Sequence, residues 1–231
     1  MQHRPHPMGL LLGALLLTSC VEVMPQSEST PSAVVETPWS CTEVVDLRLE
    51  AFPFRASEEA VSTWVQQEIG VQSTAIQGGP SAFGNGYVKY WRVGQRWYEV
   101  SQWSDGRDSV LVKTGWDGSA PSLAEALRCF GQPSLYRAYL AMTPGGYWTC
   151  LDLWYPERGL LVSSCVTRKA TRITPEQAVA DISYVQPGTL SELIPRFTAG
   201  ISPGSERYTQ IERSLKPWPG DISRIAIDDR G

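Results

Sequence analysis

Cys150 and Cys165 lie equally far from a turn, and this constrains the chain more than any other feature. The runs YWTCLDLWY and LLVSSCV flank PERG, whose Pro156 and Gly159 interrupt regular structure, so residues 147–166 read as a β-hairpin. Placing Tyr155 opposite Leu160 brings Cys150 opposite Cys165. Directly opposed Cα atoms in a non-hydrogen-bonded antiparallel pair are ~4.5 Å apart, near the short end of what a disulfide spans. Strand alternation then sorts the side chains. Tyr147, Thr149, Leu151, Leu153, Tyr155, Leu160, Val162 and Val166 form a mostly apolar face that should pack on helices. Trp148, Asp152, Trp154, Leu161 and Ser163 share the other face with the two cysteines.

By elimination, Cys41 pairs with Cys129, tying the first strand to the second helix; buried free thiols are the alternative. A metal site is disfavoured, because the spacings of 88, 21 and 15 residues contain no CxxC and the only histidines are His3 and His6. Four cysteines beyond Cys20, an even number, point to an oxidising compartment. With 42% hydrophobic residues, 9 Trp and 9 Tyr, the chain is too apolar and aromatic to be disordered. Its formal charge of −4 argues against a nucleic-acid binder.

The N-terminus reads as an address. A polar start with Arg4 precedes an apolar run over residues 8–17, too short to span a ~30 Å hydrocarbon core and therefore a signal peptide over 1–19. Leu17-Thr18-Ser19-Cys20 resembles a bacterial lipobox, which implies cleavage before Cys20, its acylation, and anchoring of the chain to a membrane. Val21 rather than Asp follows the cysteine, which within that family implies the outer membrane where the cell has one. Removal of 1–19 leaves 19 basic against 24 acidic residues, a mildly acidic mature chain. Residues 20–38, rich in Ser, Thr, Glu and Pro, read as a flexible tether carrying the lipidated cysteine.

Beyond the tether, Ser57 before Glu58-Glu59 and a helical apolar pattern ending at Gly70 predicts a capped helix, and the capping box Ser122/Glu125 predicts another ending at Gly131. Weaker helix starts lie at Thr174-Pro175-Glu176-Gln177 and at Thr189 with Glu192. Strands are expected over 87–93 and 96–103 as a hairpin around Gly94-Gln95, then over 109–114, 135–142, 179–185 and 222–227. Gly78-Gly79-Pro80 to Gly84-Asn85-Gly86 reads as a flexible turn. The order helix, hairpin, strand occurs twice. This predicts an α+β protein of two helix-plus-antiparallel-sheet units, 39–120 and 121–231 with a C-terminal extension, the pattern of a degenerate tandem repeat. The second unit, with Phe130-Gly131-Gln132-Pro133, Trp154-Tyr155-Pro156 and Gly159-Leu160, resembles small outer-membrane-assembly lipoproteins (SmpA/OmlA-like). The tandem arrangement is similar to that of β-lactamase-inhibitor-like domains. Both resemblances imply a protein-binding surface and no catalysis.

Trp148, Asp152 and Trp154 form the candidate binding face, unless the other unit or the C-terminal segment covers it. In the first hairpin Tyr90, Arg92, Trp97, Glu99 and Trp103 oppose Tyr87, Lys89, Trp91, Val93, Tyr98 and Val100, so both faces are aromatic and periodicity does not choose between them. A chain without mature histidine lacks Ser-His-Asp and Cys-His machinery, and neither a nucleophile elbow nor a phosphate loop occurs. The remaining enzymatic option is a carboxylate hydrolase built on Asp152 and Glu99, which would need to lie ~5–9.5 Å apart. The reading favoured by the sequence is a non-enzymatic, lipid-anchored binding or scaffolding protein of the cell envelope, without a cofactor. Its expected partners are the membrane and an envelope protein, not nucleic acid; a carbohydrate or small-ligand module using the strand tryptophans is the alternative.

Overall fold

The computed structural model describes residues 38–80, 86–103, 109–166, 170, 172–198, 201–202 and 204–227. The expected leader, Cys20 and the tether up to residue 37 lie outside that set, as does the stretch 81–85. The helices are α1 (Cys41–Val44), α2 (Leu47–Glu50), α3 (Glu58–Trp64), α4 (Leu123–Phe130), α5 (Leu190–Phe197) and α6 (Glu206–Ser214). The strands are β1 (Gln77–Pro80), β2 (Gly86–Val93), β3 (Arg96–Trp103), β4 (Ser109–Trp116), β5 (Leu135–Thr143), β6 (Gly146–Tyr155), β7 (Leu160–Val166), β8 (Asp181–Tyr184) and β9 (Lys216–Pro217).

All of these strands join one antiparallel sheet in the order β1-β2-β3-β4-β8-β7-β6-β5-β9. The expected pair of separate helix-plus-sheet units is therefore wrong. β8 closes the gap between the halves, pairing with β4 through Val112↔Tyr184, Lys113↔Ser183 and Thr114↔Ile182 and with β7 through Leu160↔Tyr184 to Ser163↔Asp181. Turn chemistry reports pairing between strands that are neighbours in sequence, and this junction is not local. Without β8, the inner edges of β4 and β7 would each present unpaired backbone groups. Residues from Pro38 onward accordingly cluster as a single unit.

The local signals map well onto the helices. Ser57 caps α3, which continues into a π-helical turn over Val65–Ile69 and stops at Gly70, whose φ of 76° is open to glycine at no steric cost. The Ser122/Glu125 and Thr189/Glu192 capping boxes open α4 and α5. The Thr174 signal produces no helix. Instead, the carbonyls of Pro175 and Gln177 accept the Ala124 and Leu123 N–H groups, each at 2.9 Å, so the segment satisfies unpaired donors at the start of α4. Residues 222–227, expected as a strand, contain a 3-10 turn over Ile222–Arg224 capped by Asp221. Gly78-Gly79-Pro80, expected in a turn, lies in edge strand β1. Helices α1, α2 and α6 were not expected.

The two faces of the sheet bury different cores. On one, Leu151, Leu153, Tyr155, Val162 and Ile182 pack with Val44, Leu49, Val61, Leu123 and Phe130. Trp91 and Tyr98 also point there, stacked with centroids 5.3 Å apart, which decides the inner face of the first hairpin. On the other face Trp154 and Leu161 pack with Leu193, Ile194 and Phe197 of α5 and with Tyr208 and Ile211 of α6.

Both hairpin registers are as expected, and both disulfides form. Cys150 opposes Cys165 with Cα atoms 4.2 Å apart, and Cys41 bonds Cys129 with Cα atoms 5.1 Å apart. Cys41 opens helix α1, however, not a strand. Two disulfides in one domain indicate an oxidising, extracytoplasmic environment.

Gly115 shows how closely the outward face is packed. A Cβ there would lie 2.5–2.7 Å from Cζ2, Cε2 and Nε1 of Trp97, its cross-strand partner. Gly115→Ala is expected to cost about 1–2 kcal/mol, in the range of mild overpacking, because half-buried Trp97 has room to tilt. Urea denaturation with Trp emission as the probe would check it; an unchanged midpoint and spectrum would count against this contact.

Candidate functional site

The outward-facing sets of both hairpins lie on the same side of this sheet. Directly opposed residues share a face, and the register runs Tyr90–Glu99–Lys113–Ser183–Leu161–Trp154 from β2 to β6. One step along the strands, a second row runs Arg137–Asp152–Ser163–Asp181 from β5 to β8. A stripe of charged and hydroxyl side chains thus crosses the middle of the sheet. Helices α5 and α6 cover only the part around Trp154 and Leu161. Trp103, expected on this face, has a side chain outside the described set.

Where the helical cover ends, a cavity of about 680 Å³ opens. Its floor carries Lys113, Arg137, Tyr139, Asp152, Ser163, Asp181 and Ser183, and its wall includes Trp154 and Leu161 from the sheet with Phe197, Arg207, Gln210 and Ile211 from α5 and α6.

Asp152, only 7% exposed, is the centre of this floor. It accepts a hydrogen bond from Ser163 Oγ at 3.0 Å and one from the Tyr139 hydroxyl. Burial pushes its carboxyl up to about 6, with the Asp181 charge acting in the same direction and Arg137 and the hydrogen bonds opposing. Asp181, which accepts from Ser183 Oγ at 3.2 Å, is also raised, by burial first, while Lys113 pulls the other way. The Asp152 charge is the largest cause holding the Tyr139 hydroxyl well above the usual tyrosine range. The Arg137 guanidinium lies over the Tyr139 ring, 4.0 Å from its centroid.

Two donors on residues that line this cavity have no acceptor. Arg137 Nε and Trp154 Nε1 are buried and lack a hydrogen-bond partner within the protein. A buried unpaired donor costs roughly 1–3 kcal/mol, and both of these nitrogens are enclosed by protein atoms.

The three residues expected to form a binding face are separated by this arrangement. Asp152 is on the cavity floor, Trp148 is half-buried further along β6, and Trp154 is 1% exposed with its ring edge-on to Phe197 at 5.2 Å. Trp154 is therefore not an open stacking platform; the C-terminal helices cover it. Glu99 shares the face of Asp152 but stands four strands away, about 19 Å at ~4.8 Å per strand, too far for a carboxylate pair. Its own partners are the hydroxyls of Ser101, at 2.7 Å, and Tyr90.

Sequence reasoning passed over Arg137, Tyr139, Lys113 and Asp181. A signal existed, because Arg137 and Tyr139 alternate with buried Tyr136 and Ala138, and Asp181 and Ser183 alternate with buried Ile182 and Tyr184. Only the strand order shows that these alternations line up into one row. Among the described residues, no group of three or more His, Cys, Asp or Glu side chains could hold a metal ion. No protein-family model, curated protein or solved structure matches the chain.

Proposed function

We propose that this chain is a lipid-anchored, extracytoplasmic binding protein of the bacterial cell envelope, tethered through Cys20, which takes a ligand in the cavity floored by Asp152. The observation that carries the binding role is the cavity itself, where Asp152 and Asp181 meet Lys113 and Arg137 beside apolar side chains. The anchor rests on the Leu17-Thr18-Ser19-Cys20 sequence, and the oxidising environment indicated by the disulfides agrees with it. Anchoring above the membrane plane through the Ser-, Thr- and Pro-rich residues after Cys20 leaves such a site open to envelope components.

In cells fed an alkyne-bearing palmitate analogue, the wild-type chain is expected to take up label and sediment with membranes. Cys20→Ala should lose the label and accumulate as uncleaved precursor. An unlabelled wild-type chain in the soluble fraction would overturn the anchor.

A further inference from the structure

We infer that the tip of the β5–β6 hairpin is a second membrane contact, seating in the interface of a phospholipid bilayer; the proposed anchor at Cys20 is what brings the domain to that surface. The hairpin outruns its neighbours. β7 pairs with β6 only from Thr149 onward, and β9 reaches only Leu135 and Tyr136 of β5, so residues 146–148 and the opposing 141–143 form a two-stranded projection among the described strands. Three residues beyond Thr149 at ~3.4 Å each make it about 10 Å long, a depth that interfacial apolar side chains reach in a bilayer.

Neither face of this projection is polar. Met142 and Tyr147 are directly opposed on one face, 79% and 53% exposed, while Ala141 and half-buried Trp148 are opposed on the other. Pro144, Gly145 and Gly146, all exposed, close the end. A hairpin standing in water ordinarily keeps one polar face, whereas residues 138–151 contain no Asp, Glu, Lys or Arg. The other large apolar side chains exposed among the described residues have a charge beside them in sequence. Leu47 stands between Asp46 and Arg48, Tyr90 follows Lys89, and Val93 follows Arg92.

Charge and reach together select lipid as the occupant. An uncharged, protruding tip has no group with which to select a charged partner, and Tyr and Trp, apolar rings with one polar atom, are the side chains enriched where hydrocarbon meets headgroups. The 18 residues from Cys20 to Thr37 span at most about 60 Å, more than the ~34 Å of the ten-residue strand β6. An acyl group held in the bilayer therefore leaves this end of the sheet able to reach the same leaflet. Confined to that range, the tip meets lipid at a high effective concentration, so the modest affinity of a few side chains suffices. Leu140, Met142 and Tyr147 also line the Asp152 cavity, so a seated tip holds that cavity beside the lipid surface.

The test reads Trp148 emission against phosphatidylcholine vesicles whose acyl chains are brominated near the headgroup, with Trp148→Phe supplying the difference spectrum that isolates it. Two preparations are compared, the acylated mature chain reconstituted in the vesicles and the mature Cys20→Ser chain mixed with them at high lipid concentration. Bromine is expected to lower the Trp148 emission about twofold in the acylated preparation. Met142→Glu combined with Tyr147→Glu should restore it with an unchanged urea midpoint and without releasing the protein from the vesicles. Unquenched Trp148 in an acylated chain that sediments with the vesicles would overturn the tip and leave the anchor standing, and equal quenching in the folded double variant would overturn it too. Should the anchor fail, the Cys20→Ser preparation decides alone: quenching there upholds the tip, and its absence overturns it. A Trp148 signal that moves with protein concentration in the absence of lipid would assign the tip to a second copy of the chain and overturn the bilayer as its partner.

Discussion

Replacing Cys41 and Cys129 together by serine is expected to lower the unfolding free energy by about 4–5 kcal/mol. The bridge closes a loop with a sequence separation of 88, and the chain-entropy model assigns a loop of that length roughly 4.6 kcal/mol. The same model assigns about 3 kcal/mol to Cys150–Cys165, separated by 15, because a short loop loses less freedom on closure. The first bridge also has more local structure depending on it. Helix α1 is four residues long and does not persist by its own propensity. It is held by the bond from the Trp39 N–H to Glu125 Oε1 at 2.7 Å, by Arg128 donating to the Trp39 carbonyl, and by Arg96 donating to the Val44 carbonyl at 2.6 Å. These contacts reach α1 from α4 and β3, so the bridge fastens an N-terminal segment that packs under two distant elements. Urea denaturation of the double serine variant beside the Cys150/Cys165 counterpart measures both losses. A smaller loss for the longer loop would show that the unfolded state is not the main seat of the effect.

The readable parts of this fold were those fixed by neighbours in sequence. The 147–166 hairpin gave away its register because a turn of known length lies between two runs with opposite faces, and that register located a disulfide. Ser57, Ser122 and Thr189 announced helices because a cap and its N3 partner lie within one turn. The sheet order was hidden, since β8 is a four-residue strand whose partners β4 and β7 offer it no turn-based register. The candidate site inherits that division. Asp152 could be picked out as a strand acid between tryptophans, but Arg137, Ser163 and Asp181 become its row only through three successive strand pairings. The face of Trp154 was likewise undecidable from periodicity, because α5 and α6, which bury it, follow it by more than thirty residues.

The charge at Asp152 should make stability fall as pH rises through the mildly acid range. An ordinary unfolded aspartate titrates near ~3.9, and burial raises this one to about 6 in the folded protein. A carboxyl with a raised folded pKa binds its proton more tightly in the native state, so its contribution is fully present below ~4 and is lost as pH climbs to about 6. Two pH units correspond to roughly 3 kcal/mol. Asp181 shifts in the same direction for the same reason. Asp46 opposes them. Although burial is the largest single influence on it, the hydrogen bonds from Arg48 and Tyr98, joined by the charges of Arg48 and Arg96, together hold its carboxyl below the usual range, so its contribution is lost toward acid. Asp152→Asn separates these effects, because asparagine keeps the shape and does not titrate. Whatever the variant loses at Ser163, Tyr139 or Arg137 is an offset that changes little with pH. The informative quantity is therefore the difference between the two proteins. From pH 4 to pH 7.5 the wild type should lose about 2 kcal/mol relative to Asp152→Asn, most of the full linkage, measured by urea denaturation at closely spaced pH values. Parallel stability curves would mean that Asp152 is solvated or compensated in the folded protein, and the buried charge at the centre of the proposed site would no longer stand.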